Sequence, residues 1–375
     1  MDENVDYIGP SYLLANSKVA ILNSRQSKYP IGSDGWIIAT RKAMGHAREK
    51  GLVIVTSLGM NTWELVLAYA ARLGLGVIIV IPDQTNDRQV LINGTKERFR
   101  LANDRVGFVF SHLEDKGRKK SLWPKRDREI VRLADSLWPI SIRPDGTLRK
   151  LLEISPDKVR WGYAVPYDKP SRVRPRYELG KLNPLLQQEK LVVHFTRSVS
   201  EPWPDESAFD FYDAIVGSKD TYCRSAENTL FHILHSGIIY ASRKNIRGGF
   251  AVAAFSQVTE ENVASLFRYR SRLVNPYFEP YGIALPEEVA LSAGLRPVIY
   301  GKSDDYDCVN NEQKVRFQNA GRYGEQWRTE NEWRATGDFH LSRVPVNNLR
   351  VIVPTPANVE RASCHTQLNI IPLSQ

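Results

Sequence analysis

Three groups of side chains in this sequence have types and spacings suited to chemistry. Glu330 and Glu332 stand two apart in residues 326–334 (QWRTENEWR), so in a strand they share one face. A carboxylate placed there stabilises positive charge that develops as a bond breaks, and it can take a proton from an acceptor. Their plainer role is ion pairing with Arg328 and Arg334, which stabilises little at a surface. His194 and Thr196 end the apolar run 190–196 (KLVVHFT), and period-2 alternation puts them on one face as well. The plainer role of His194 is a core histidine donating to a backbone carbonyl. The third group is Arg25, Ser57, Gly59 and Glu64, in the turns that follow two short apolar runs. Gly59 lets a backbone pass close to a phosphate, Arg25 supplies charge, and Thr62 and Glu64 stand at a helix entrance.

The elements that must position these groups can be read from periodicity. Residues 18–23 form a buried strand, and residues 36–50 a helix that Gly51 closes. Residues 52–56 form a second strand, 57–61 a turn, 63–73 a helix opened by Thr62, and 76–82 a third strand. This alternation predicts a Rossmann-like parallel sheet with ligands at the carboxyl ends of its strands. It carries neither GxGxxG nor a Walker A motif. The second half reads differently. Strands at 190–196, 238–242, 250–256, 281–285, 296–300 and 349–353 surround a helix at 226–236, with a tight turn at Gly248-Gly249. That pattern predicts an α+β domain with a split, mixed or antiparallel sheet. The chain as a whole is thus expected to be α/β followed by α+β.

Between the halves lies a basic stretch rich in aromatics. Lys116, Arg118, Lys119, Lys120, Lys125, Arg126, Arg128 and Arg132 surround Trp123, and Trp138 follows. Arg160, Lys169, Arg172, Arg174, Arg176 and Lys181 follow among Trp161, Tyr163, Tyr167, Tyr177 and several prolines. Cations neutralise phosphates and flat rings stack on unpaired bases, so residues 116–181 are a candidate nucleic-acid track. Its prolines favour an extended linker over a helix, and the plainer role is a solvated connection. Over 375 residues, 51 Lys+Arg against 42 Asp+Glu leave a formal charge of +9, which favours an acidic partner. The 3 cysteines form no CxxC pair, which excludes a disulfide framework and a cysteine-rich zinc site. His232 and His235 lack a further ligand at metal-site spacing, so no metal is expected. No apolar run approaches the roughly 20 residues of a membrane helix, and the first residues lack a signal-peptide layout. A cytoplasmic protein with no membrane partner is expected.

Two resemblances follow from these residues. Residues 16–112, with the Ser57-Leu58-Gly59-Met60 turn opening a helix that carries Glu64, resemble the SLOG superfamily, which includes DprA-type and LOG-type proteins. The resemblance implies a nucleotide, a nucleotide-derived signal or single-stranded DNA bound near Arg25, Ser57, Gly59 and Glu64. Residues 190–355 show, in order, His-x-Thr, NTL-x-x-IL-x-x-GII, Tyr-Ala-Ser and Glu-x-Glu-Trp-Arg. Their order resembles the ADP-ribosyltransferase fold, most of all divergent prokaryotic members of toxin and phage-defence systems. That resemblance implies NAD as cofactor. His194 would bond its ribose beside Thr196, and Tyr240, Ser242 or Ser256 would meet the nicotinamide end. Glu332, or else Glu330, would stabilise the oxocarbenium-like state. Members with Glu-x-Glu carry Arg on the first strand where this chain has His194, which leaves the acceptor open.

The expected layout is a SLOG-like domain over 1–115, a basic connection over 116–185 and an ADP-ribosyltransferase-like domain over 186–375. The expected activity is NAD-using glycosyl or ADP-ribosyl transfer, or NAD hydrolysis, linked to nucleic acid in a bacterial defence or DNA-modification system. Other proteins of the same operon would then be partners. The alternatives are a DNA base-modification enzyme, such as one acting with 7-deazaguanine, and a non-catalytic nucleotide- or DNA-binding module.

Overall fold

The computed structural model describes residues 5–82, 87–111, 119–169, 180–267, 269–270, 275–276, 278–320 and 328–374. Of the residues singled out above, Lys116, Arg118, Arg172, Arg174, Arg176 and Tyr177 lie outside the described residues. The chain divides into two compact units. One comprises Met1–Ser171 with Ser200–Cys223, the other Arg172–Val199 with Arg224–Gln375.

The first unit is built on six strands. They are β1 (Val5–Ile8), β2 (Lys18–Leu22), β3 (Val53–Ser57), β4 (Val77–Pro82), β5 (Val106–Ser111) and β6 (Ser136–Pro139). The sheet order is β1-β5-β4-β3-β2-β6, parallel throughout except for β1 at one edge. Its helices are α1 (Tyr12–Ala15), α2 (Gly35–Glu49), α3 (Asn61–Leu73), α4 (Arg88–Phe99), α5 (Lys119–Leu133) and α6 (Thr147–Ile154). The central strands read VIVTS and VIIVIP because both faces are covered: Ile54, Val77 and Ile79 pack on one side, Val55, Ile78 and Val80 on the other.

Two segments depart from the expected layout. Residues 119–139 are not an extended linker: they form α5 and the sixth strand. Leu122, Ile130 and Val131 are buried among the basic residues, and Pro124 is tolerated inside the helix. The chain then runs on beside β6, where Arg160 donates to the Leu137 carbonyl and Val165 to that of Ile140. The boundary expected near residue 115 therefore falls some fifty residues later, near Ser171. The second departure is residues 200–223, which belong to the first unit although they interrupt the second. Their helix, Ala208–Gly217, buries Ala208, Phe211, Tyr212 and Ile215 in the first unit's core. The segment holds six acids and one lysine, and its Asp210 and Asp213 pair with Arg100 and Arg72.

The second unit has a seven-stranded sheet. In order across it lie Arg296–Pro297, Glu332–Thr336, Val252–Gln257, β7 (Leu191–Phe195), Gly282–Pro286, Arg350–Val353 and Asn369–Pro372. Neighbours are antiparallel except the last pair. One face (Val192, Phe255, Ile283, Trp333) packs on Leu230 and Ile233 of the Ala226–Ser236 helix. The other face (Leu191, Val193, Phe195, Ala284) packs on Val263, Leu266 and Phe267. The expected strand at 238–242 shrinks to Ile238–Ile239, with Ser242 making a bridge to Val252. Among the described residues, no helix is long and apolar enough to cross a membrane.

Candidate functional site

In the first unit, β3 leads through residues 58–60 into α3. Gly59 has φ +87°, a left-handed conformation that favours glycine, and a Cβ there would meet open space. The N–H groups of Trp63 and Glu64 both return to the Met60 carbonyl. Those of Met60, Asn61 and Thr62 have no acceptor among the described residues, as the first turn of a helix requires unless a cap or ligand supplies one. A cleft of about 430 Å³ opens here, lined by Gly59, Met60, Asn61, Glu64 and Arg98 and, from the 200–223 segment, by Glu201, Glu206 and Tyr212 among others. It falls within the roughly 300–1,000 Å³ of small-molecule sites.

Glu64 is held at both oxygens. Its Oε1 accepts the Gly59 N–H at 2.9 Å, and its Oε2 accepts the Tyr212 hydroxyl at 2.9 Å. Burial, reinforced by this carboxylate, raises the Tyr212 phenol well above 10.0, so it stays protonated and donates. Behind the turn, the buried Arg126 donates to the Leu58 carbonyl at 3.3 Å.

Of the four residues expected to bind a ligand here, the structure brings Gly59 and Glu64 to the cleft. Ser57 is buried and donates to the Val80 carbonyl at 2.7 Å, which ties β3 to β4. Arg25 is exposed and is not among the residues lining the cleft. It follows β2, at the point where strand order reverses between β2 and β6. Open parallel sheets commonly bind ligands at such a point, but side chains and backbone fill this one. Ser24 N donates to the Ser141 carbonyl at 2.9 Å, Arg143 N to Ser24 Oγ at 2.9 Å, and Asn23 Nδ2 to Thr40 Oγ1 at 3.1 Å. Arg98, Glu206 and Tyr212 join the cleft from segments distant in sequence. The signal for the last two was the acidic run after residue 200, which has no marker of its own placing it in the first unit.

In the second unit, β7 pairs with Val252–Gln257 at Val192 and Val193 and then parts from it, while its other edge stays paired as far as Phe195. At the parting, His194 Nδ1 lies 2.8 Å from the Ala254 carbonyl, the tautomer being set by this bond. Burial pushes the imidazole below 6.5. Thr196 is buried and donates to the carbonyls of Ala226 and Tyr281. Ser242 exchanges backbone bonds with Val252, and Tyr240 is half-buried.

The register separates His194 from Glu332. His194 lies opposite Ile283 and edge-on to Phe255, on the face that packs on Leu230 and Ile233. Glu332 lies opposite Ser256, which lies opposite Val193 on the other face. Glu332 is engaged bidentately by the buried Arg334, at 2.7 and 3.0 Å. Arg334 spends its remaining donors on Val315, Phe317 and Gln318. Glu330 is buried. The pairing with Arg334 weighed from sequence is therefore present, but inside the fold rather than at its surface.

No protein-family model matches this chain, and no curated protein matches its sequence. Among solved structures, DNA processing protein A from Streptococcus pneumoniae is similar at 18% identity and a TM-score of 0.32, over 41% of this chain and 53% of that one. DNA processing protein A from Helicobacter pylori, solved for its single-stranded DNA binding mode, is similar at 15% identity and a TM-score of 0.31, over 42% and 70%. The chain thus spans about half the length of the first of these.

Proposed function

We propose that the first unit binds a nucleotide, free or at the end of a nucleic acid, in the cleft between β3 and α3. One observation carries this reading: an open glycine turn and helix N–H groups lacking acceptors border the same cleft as Arg98 and three carboxylates, of which Glu64 is fixed at both oxygens. Backbone N–H groups at a helix start suit a phosphate, as does a guanidinium. Glu64 suits the hydroxyls of a ribose or the amine of a base. Calorimetry with AMP, ADP-ribose, NAD and a short single-stranded oligodeoxynucleotide tests the reading. Binding that Arg98→Glu and Gly59→Val both weaken supports it, and no binding by any probe ends it.

A second reading assigns NAD chemistry to the second unit, as an ADP-ribosyltransferase-like transferase or glycohydrolase. The parting of β7 from its neighbour at His194 favours it, because a split in a sheet gives a ligand access to strand ends. In this reading His194 contributes a neutral imidazole, while Glu332 would have to leave Arg334 to act. Nicotinamide release from NAD is the test, with and without DNA. Release abolished by His194→Ala but retained in Glu332→Gln would support NAD chemistry and move the carboxylate role elsewhere. Absence of release in every condition would end the NAD reading. DNA modification and membership of a defence system rest on the basic charge and on resemblance, and they follow this test rather than precede it.

A further inference from the structure

We infer that Arg126 is a positioning residue for the cleft: it holds the Leu58 carbonyl and, through that peptide, aims the Gly59 N–H at Glu64. Its consequence for ligand binding rests on the nucleotide reading above.

Arg126 belongs to the basic run that from composition looked like a nucleic-acid track. At 2% exposure it cannot meet a phosphate in solvent. Its Nε and Nη2 donate to Asp127 Oδ1 at 2.9 and 2.8 Å, and its guanidinium carbon lies 5.5 Å from the centre of the Trp63 ring. A buried ion pair is often no more stabilising than an apolar pair of the same volume, so stability alone does not account for it. The third bond sets it apart. Nη1 donates to the Leu58 carbonyl at 3.3 Å, and that carbonyl has no other donor among the described residues.

The peptide joining Leu58 to Gly59 is planar and trans, so its C=O and N–H point in opposite directions. Holding the oxygen from inside therefore sends the N–H outward. There it meets Glu64 Oε1 at 2.9 Å, while Oε2 is met by Tyr212. A Cβ built on Gly59 would have no atom within 4 Å, so Leu58 and Met60 pack on the cores on either side of it while nothing packs over the glycine itself. The grip from Arg126 sets the peptide plane, and the plane sets the direction in which Glu64 presents itself.

The test uses the full chain. Arg126→Met combined with Asp127→Leu removes both buried charges while keeping bulk, and it is expected to fold. Amide hydrogen exchange at Gly59 should rise about tenfold or more, while Ile78 and Val80 in β4 keep their protection. The affinity for AMP should fall by about tenfold, the worth of one lost hydrogen bond. Arg126→Lys, which keeps a donor, should restore part of both. Unchanged exchange at Gly59 overturns the inference, and so does a rise shared equally by β4, which would mark a purely structural role. If the unsubstituted protein binds no nucleotide, the nucleotide reading fails, and exchange at Gly59 still decides the role of Arg126.

Discussion

Glu64 of the first unit and Glu332 of the second are both half-buried carboxylates at the start of a regular element. Their surroundings give them opposite roles. Glu64 accepts from two neutral donors, a backbone N–H and a phenol, and faces a cleft. Neutral donors fix its direction without cancelling its charge, so the charge remains for a ligand. Glu332 is met by a guanidinium that is itself fully engaged within the fold. There the charge is spent on Arg334, and removing either partner strands the other. A carboxylate is available for chemistry according to the charge of what holds it, more than according to its burial.

The greater loss should come from Glu332. Glu332→Ala should destabilise the second unit by about 3–5 kcal/mol, because a buried Arg334 is left unpaired. Urea unfolding followed by amide exchange in the Glu332–Thr336 strand checks it; a loss under 1 kcal/mol would mean that Glu332 is free to act elsewhere. Next, Glu64→Ala should cost about 1–3 kcal/mol in the first unit, leaving the Gly59 N–H and the Tyr212 hydroxyl without their acceptor. Urea unfolding read by amide exchange in the first unit's strands checks it, and a larger loss than that of Glu332→Ala would invert the contrast.

His194 gives a smaller effect with a defined sign. Burial holds its folded pKa below 6.5, so as pH falls the unfolded chain takes up the proton first. Its stabilising contribution is present above pH 6.5 and is lost as pH falls from there toward the folded value. The stability advantage of the unsubstituted protein over His194→Asn should therefore shrink on acidification. Urea midpoints measured on either side of that window would show it, and an advantage that grows instead would mean a charged imidazole in the fold. Smallest is Arg149→Ala, which breaks an exposed i,i+4 pair with Glu153 and should shift stability by no more than about 0.5 kcal/mol. A thermal melt gives the reading, and a larger loss would point to its stacking on Trp161.

Much of the first unit was legible from residue order. The runs at 18–23, 52–56 and 76–82 became β2, β3 and β4, and the turn holding Gly59 before Glu64 became the mouth of the cleft. Apolar runs and helix boundaries are local signals. The middle misled because basic residues dominate its composition, whereas Leu122, Ile130 and Val131 decide its burial. A few buried apolar positions suffice to dock a helix whatever the charge on its exposed side.

The alternation of strand and helix in the first unit, the strand-rich character of the second and the residue types at each turn are local properties, readable from residue order. Long-range packing sets the return of residues 200–223 to the first unit, where they supply Tyr212 and Glu206 to the cleft. It also decided that the Asn23–Arg25 turn is closed against Ser141 and that His194 and Glu332 lie on opposite faces of one sheet. The physical reason is the same in each case. A one-residue change of register moves a side chain to the other face, and an excursion between units is set by whichever core accepts its apolar stripe. Both depend on partners distant in sequence, which the spacing within one segment does not name.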